Sequence, residues 1–466
     1  MMTWMSYTSR AFSLLGILPL ILKKFTPGDI VLWYMFSTFI TLQTLADFGF
    51  RQTFSRLISF AFGGAESIDR IDLNSAKKAE GTPNMDLLSK IVSSMRYIYA
   101  RLTVVLMISF SVFGTWSLLK PVEDASNERQ AWISWIIFLI ITSISFYGKL
   151  YLNFLEGTYK IALVRRIDTL TSLGSVLFSI LVLLFSPSLL NLVIVNQTWV
   201  LIVAIRDWHL CFKIEDGLYS KLSRSLPFDK DFFKLVWQPA WRSGISFVMS
   251  LGLTNLTGIV YAQIADTSAV ASYLLALRIL NQIKDISMAP FFSKLSLMAI
   301  YRVKGDQKSL VEIIKRGMFL SHLVFVVGVV FVGVFSDNLM EIVHSKVPFV
   351  SQGLWLLLGI AFFINRYGSM HMYVYLSTNH VISHIADGVS GVIYIVFCVL
   401  LSKVMGVYSI PVAMIIGYLG FYSWYAAKYS YSSIEISFFK LEKTAILLPL
   451  LIMTFYSLYV LILQLR

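Results

Sequence analysis

Charged side chains are scarce in this sequence. Asp, Glu, Lys and Arg make up 14% of its 466 residues, against about 25% in an ordinary soluble domain. Cysteine is nearly absent: only Cys211, in a basic stretch, and Cys398, in an apolar run, occur. Two such isolated thiols exclude a disulfide framework and a thiolate metal site. There is no glycine-rich phosphate cradle beyond the pair Gly63-Gly64, so direct drive by ATP is not expected. No large polar segment is present to form a soluble domain. The longest, about Ala65 to Lys90, contains Gly81-Thr82-Pro83-Asn84 and reads as a mobile loop. The first apolar stretch, Ser9 to Leu22, lacks a small-residue cleavage site and is followed by Lys23-Lys24, so it reads as a retained helix. No metal cluster is apparent. His380 and His384 stand at i, i+4 without a Cys or acidic partner, and with His371 they read as interfacial histidines.

What fills the chain is apolar. Hydrophobic residues make up 57% and aromatic residues 15%, and the mean hydropathy is +0.72. A helix needs about 20 such residues to cross a hydrocarbon core about 30 Å thick. Runs of that kind predict spans near 7–22, 29–48, 97–119, 132–154, 167–186 and 188–205, then 240–262, 267–288, 317–336, 352–375, 382–402 and 408–427, and finally 444–463. The fold class is all-α, polytopic: two six-helix groups and an extra C-terminal helix. The corresponding domains are an N-terminal lobe 1–205, a linker 206–238 with an interfacial helix, a C-terminal lobe 239–428, and 429–466 as loop and extra span.

Lys and Arg set the orientation. With the N-terminus inside, the segments 49–96, 155–166, 206–242, 289–316, 376–381 and 428–443 are cytoplasmic and hold 26 of the 39 basic residues. Lys120 and Arg129, on the other side, are accompanied by Glu123, Asp124 and Glu128. The net charge of +13 therefore marks a face turned to anionic membrane lipid, not a nucleic-acid site.

The two groups of six repeat each other. Asp47 and Phe54-Ser55-Arg56-Leu57 recur as Asp285 and Phe292-Ser293-Lys294-Leu295, and each set reads as ending its helix. Tyr147-Gly148 and Thr158 recur as Tyr367-Gly368 and Thr378. Arg10 and Arg242 stand at equivalent helix starts. The repeat keeps its orientation, which implies a parallel duplication about an axis along the membrane normal.

Ionisable groups inside spans cost from about 2.5 kcal/mol upward, so they face a cavity or a partner. Arg278 and Arg366 lie midway along their helices. Either they cap carbonyls or pair internally, or they form a cationic cavity for an anionic substrate, whose phosphate oxygens a guanidinium fork matches. Arg10, Arg51, Arg242 and Lys149 are further substrate-binding candidates, with positive-inside anchoring the other reading for Arg10 and Arg51. Asp47, Asp285, Asp168 and Asp387, at or inside helix ends, are candidates for a gate or for ion coupling. Helix-end bonding or an Arg partner is the other reading of Asp47 and Asp285.

The segment Leu45-Ala46-Asp47-Phe48-Gly49-Phe50, with Arg56 and Gly63-Gly64 after it, resembles a signature of the Wzx-type flippases of polysaccharide and O-antigen repeat units. These belong to the multidrug/oligosaccharidyl-lipid/polysaccharide (MOP) exporter superfamily. The six-plus-six layout and the Tyr-Gly helix extend the resemblance over nearly the whole chain, while the thirteenth helix departs from it. The resemblance implies two pseudo-symmetric bundles in a V around a cationic cavity. It implies alternating access that moves an undecaprenyl-pyrophosphate-linked oligosaccharide from the cytoplasmic to the periplasmic leaflet of the bacterial inner membrane. A polysaccharide polymerase and a chain-length regulator are the implied protein partners, and no cofactor is implied.

Two other classes are weighed against this one. A membrane glycosyltransferase or polymerase needs a large periplasmic loop, and 120–131 and 337–351 are small. A cation-coupled drug exporter on the same fold favours buried carboxylates, whereas the excess within these spans is basic. The chain is therefore read as a transporter and not an enzyme.

Overall fold

A backbone N–H or C=O in hydrocarbon has no water to bond, so a spanning segment must satisfy its polar groups internally. The computed structural model describes residues 16–64, 83–158, 160–222, 229–249, 253–303, 305–378 and 382–465. Among them are helices and short connections and no strand. In chain order the helices are α1 (16–24), α2 (Pro27–Ala46), α3 (Phe50–Phe62), α4 (Met85–Glu123), α5 (Glu128–Gly157), α6 (Ile161–Phe185), α7 (Leu189–Lys213), α8 (Leu218–Leu222) and α9 (Lys230–Phe247). They continue as α10 (Leu253–Ile264), α11 (Thr267–Phe292), α12 (Leu295–Val303), α13 (Gln307–Val343), α14 (Gln352–Leu376), α15 (Ser383–Met405), α16 (409–434), α17 (Phe438–Ala445) and α18 (Leu447–Leu465). Seven helical segments among the described residues are long and apolar enough to cross a membrane. Their lipid-facing character shows in exposed Leu170, Leu177 and Phe185 on α6 and Leu450, Phe455 and Leu461 on α18. The chain is an all-α, polytopic membrane protein.

Several helices outrun the predicted spans. Asn84 starts α4 by accepting a hydrogen bond from the Leu87 N–H at 3.0 Å, twelve residues before the apolar run begins. The 37 residues of α13, at about 1.5 Å each, exceed any bilayer core. The extra apolar run 444–463 is a helix, α18. Its Tyr456 hydroxyl donates to Gln352 Oε1 at the start of α14 (3.2 Å).

Packing divides the chain into two compact units. The first is Lys24–Asn255; the second is Leu256–Arg466 with the chain up to Lys23. Contacts thus place the division at Asn255, beyond the 206–238 linker. The end of α1 is tied into the second unit by Lys346 N–H donating to the Leu22 carbonyl (3.0 Å).

The repeat is visible in the helix starts. Helices α4 to α7 begin at 85, 128, 161 and 189, and α13 to α16 at 307, 352, 383 and 409. The Tyr-Gly pair has a reason within this frame. Gly148 lies where α5 crosses α7, and Gly368 where α14 crosses α16; small residues permit such close approach. The Asp47/Asp285 match needs correction. After Asp47 the chain breaks through Phe48 (φ +51°) and Gly49 (φ +77°), and Phe54-Ser55 sit inside α3. Asp285 instead lies within unbroken α11, which turns only at Ser293-Lys294. The two acids do not share a backbone setting.

The crossings differ in tightness, and that sets opposite outcomes for one substitution. An alanine Cβ at Gly148 would meet Ala204 Cβ at 3.4 Å, an ordinary contact, whereas at Gly368 it would meet the Tyr422 ring at 2.6 Å and Ser423 Cα at 3.1 Å. Overpacking costs about 1–3 kcal/mol. Gly368→Ala should lower the midpoint of thermal unfolding in detergent, and Gly148→Ala should leave it nearly unchanged. Equal midpoints would contradict the crossing geometry.

Candidate functional site

Residues three and four apart share one helix face. On α5, Ser145, Lys149, Asn153 and Glu156 fall on such a stripe, so one side of an apolar helix is polar. Residues of α6 (Asp168, Thr171, Ser172, Ser175) and α7 (Asn196, Trp199, Asp207) face its upper part across a cavity of about 360 Å³. Gly174 gives Trp199 room, since a Cβ there would lie 2.4 Å from its ring. Phe178 closes edge-on against the same ring, at 5.8 Å between centroids.

Lys149 is the cation of this cavity. Its Nζ lies 3.5 Å from the Gln43 carbonyl and 4.9 Å from the centre of the Phe146 ring. Among the described residues no carboxylate comes within 4.0 Å of it. The cavity's two carboxylates share one guanidinium. Arg206 Nη2 pairs with Asp168 Oδ1 at 2.7 Å and with Asp207 Oδ1 at 2.6 Å, and Arg206 Nε donates to Asp207 at 2.9 Å. Asp168, expected at a gate or coupling position, is held in this triad inside the first unit. Arg206 and Asp207, read on the sequence as the start of a linker, are the end of α7.

Lower on the α5 stripe, the helix break is secured. Asp47 is 6% exposed; it accepts the Tyr99 hydroxyl and the Arg51 N–H at 2.9 Å. Asn153 Nδ2 donates to the Tyr99 oxygen at 2.7 Å. Arg51 forms a two-point pair with Glu156, Nη2 to Oε1 at 2.6 Å and Nε to Oε2 at 3.2 Å. Helix-end bonding and an internal partner thus describe Asp47 and Arg51. Tyr99, Asn153 and Glu156 were missed on the sequence, although the four-residue spacing of polar positions along α5 was the available signal.

In the second unit Arg366 corrects the expectation of a cavity-facing cation. It is 1% exposed, and its guanidinium is spent on backbone. Nη1 donates to the Lys284 carbonyl (3.0 Å) and to Ser287 Oγ; Nη2 donates to the Ser321 carbonyl (2.9 Å) and, at 3.4 Å, to that of Ser287. The Phe325 ring lies beneath it at 4.8 Å. Two of the carbonyls belong to the turn of α11 just before Pro290, whose missing N–H loosens that turn. Arg366 therefore joins α11, α13 and α14. Asp285, half-buried beside Lys284, is a carboxylate whose field reaches Arg366.

The other candidates are dispersed. Arg278 is exposed on α11, directly after the buried run Ala271 to Leu277. Arg242 is exposed on α9, 5.8 Å from the ring centre of its neighbour Trp241. Asp387 is buried near the start of α15. Arg10 and His380 lie outside the described residues. His371 is not interfacial: it is fully buried and bonded to Glu442.

Solved structures show what these units are similar to. The chain resembles an inward-facing multidrug resistance MATE family transporter of the MOP superfamily, with TM-score 0.62 and 13% identity over 93% of this chain and 99% of that one. It also resembles the lipid II flippase MurJ in an inward closed conformation, with TM-score 0.59 and 12% identity over 100% and 92%. The fold is the one that these solved transporter structures share. An outward-facing MATE family transporter is similar at TM-score 0.58 and 14% identity over 95% of both chains. No protein-family model and no curated protein matches the sequence. At such identities the MOP likeness carries the fold, and the substrate must be argued from the site.

Arg366 is predicted to be a stability residue of this chain. Removing its side chain removes charge-assisted hydrogen bonds to three helix carbonyls, and a hydrogen bond to a charged group contributes about 1.5–3 kcal/mol. Arg366→Ala should lower both the amount of folded protein in the membrane and its unfolding midpoint. Normal abundance and an unchanged midpoint would return Arg366 to the list of substrate contacts.

Proposed function

We propose that this chain is a flippase for an undecaprenyl-pyrophosphate-linked oligosaccharide repeat unit, moving it from the cytoplasmic to the periplasmic leaflet of a bacterial inner membrane by alternating access. The observation that carries the reading is Lys149, a cation in a cavity with no carboxylate within 4.0 Å among the described residues. A lysine that lines a cavity with no carboxylate in contact is free to meet an anion that arrives from elsewhere. A diphosphate supplies one. Around Lys149, Trp199 offers a flat apolar face while Asn196, Thr171 and Ser172 offer hydrogen-bonding groups, a mixture suited to a sugar beside the phosphate. The MOP fold, shared with a lipid II flippase, supports the class.

The same fold is shared with multidrug transporters, so cation-coupled drug export is the competing reading. The cavity speaks against it. Its carboxylates, Asp168 and Asp207, are both bonded to Arg206, so a cationic drug would compete with that guanidinium for them. Arg278, exposed on α11, is proposed as a further contact to the diphosphate.

Lys149→Gln separates the readings. Surface polysaccharide should fall by at least roughly tenfold, the equivalent of about 1.4 kcal/mol, while the unfolding midpoint stays level or rises because a buried charge has been removed. Lys149→Arg should retain part of the activity. Full surface polysaccharide in Lys149→Gln at normal abundance would overturn the proposal; unchanged polysaccharide with altered drug resistance would favour the exporter.

Orientation has its own test. In intact cells, a membrane-impermeant thiol reagent should label Ser126→Cys and not Ser220→Cys. Labelling of the Ser220 variant would invert the topology.

A further inference from the structure

The second unit contains a titratable cluster that the proposed transport site does not use. Helix α17 packs Leu441 and Ala445 into an apolar cluster with Ile314, Met318, Met370 and Val374 of α13 and α14. Between those two residues comes Glu442, only 4% exposed. Its Oε1 receives the Tyr431 hydroxyl at 2.7 Å and faces His371 Nε2 at 3.2 Å. The Tyr431 oxygen in turn meets the Tyr367 hydroxyl at 2.8 Å. His371 is 0% exposed. Tyr431 donates to that oxygen, and with His371 Nε2 as its second donor the ring's Nδ1 is the nitrogen without hydrogen. Among the described residues that Nδ1 has no hydrogen-bond partner, and neither has Glu442 Oε2. A buried, unpartnered basic nitrogen beside a buried anion lacks one thing, a proton.

We propose that His371 Nδ1 is a proton-binding site, and that its occupancy sets how firmly α17 and the C-terminal span α18 are held to α14. The proton comes from water and returns to water; no bond between heavy atoms changes. Without it the pair carries one negative charge in a dry setting. With it the imidazolium faces the carboxylate and the charges balance, which strengthens the one polar tie between α17 and α14. The groups facing the pair are few. They are His322 from α13, stacked on Tyr367 at 6.4 Å and itself buried with a bare Nδ1, Tyr431 from α16, and Arg366 and Tyr367 from α14. Lys284 and Asp285 of α11 act on Arg366. Arg366, already bound to carbonyls, opposes the extra positive charge, and Glu442 favours it. The consequence is directional: α17 is held more tightly as the pH falls.

The test needs no transport substrate, so its failure is separate from failure of the flippase reading. The full chain, with its six histidines labelled with nitrogen-15, is placed in lipid nanodiscs and the imidazole nitrogens are followed from about pH 8 to pH 5, the range in which imidazole takes up a proton. One histidine should begin as the Nε2–H form and gain hydrogen at Nδ1. Its signal should be missing in His371→Gln, whose amide still donates to Glu442 but has no basic nitrogen. In Glu442→Gln its midpoint should move to lower pH. Amide hydrogen exchange over 438–445 supplies the second readout: slower at low pH in the native chain, independent of pH in His371→Gln. A His371 signal that stays neutral throughout, or exchange with the same pH dependence in both proteins, would overturn the proposal. Should His371→Gln fail to fold, the native and Glu442→Gln titrations decide alone, and an unshifted midpoint counts against it.

Discussion

Every hydrogen-bonding group of the backbone must find a partner within the protein where the bilayer supplies none. Most of the chain meets this demand by being helix. The informative places are those where a helix cannot meet it alone, and there side chains come in from neighbouring helices. The break after Asp47 is held by the Asp47 carboxylate, with Tyr99 and Asn153 behind it. In the turn before Pro290 the carbonyls of Lys284 and Ser287 take a further hydrogen bond from Arg366, reaching across from α14. One acid and one arginine that look functional on the sequence are thus bound to backbone requirements.

The same constraint makes an exception meaningful. Several charged groups within the helix bundles have bonded partners: Arg51, partly exposed, with Glu156, Arg206 with two aspartates, Arg366 with three carbonyls. Two described sites differ from these. Lys149 has a cavity in place of a carboxylate, and His371 has a bare nitrogen in place of a donor. One lacks an anion and the other a proton. They lie in different units and call for different ligands, so binding of a large anionic substrate and response to pH are assigned to separate places in the chain.

How far the site could be read beforehand differs residue by residue. Lys149 was identifiable because a lysine within an apolar span is conspicuous whatever surrounds it. Arg366 was identifiable as unusual, but its role was not, since a guanidinium fits a phosphate and a set of carbonyls equally well. Glu442 was hidden because it lies in a short polar stretch that reads as loop, and only packing shows that one face of that stretch is buried. The partner of Asp168 was hidden because Arg206 sits where the apolar run ends, although the helix continues through Lys213.

The sequence by itself determined that the chain is helical, that it crosses a membrane many times, and that its second group of helices repeats the first. Each of these follows from local composition and spacing: about twenty apolar residues per span, and a Tyr-Gly pair recurring at the same helix crossing. Only the tertiary structure decided which charged groups are matched and which are open. That property belongs to pairs of residues far apart in the chain, such as Arg51 with Glu156 or His371 with Glu442, brought within 3.2 Å by helix packing. No local pattern encodes that distance, because it depends on how each helix is rotated against its neighbours.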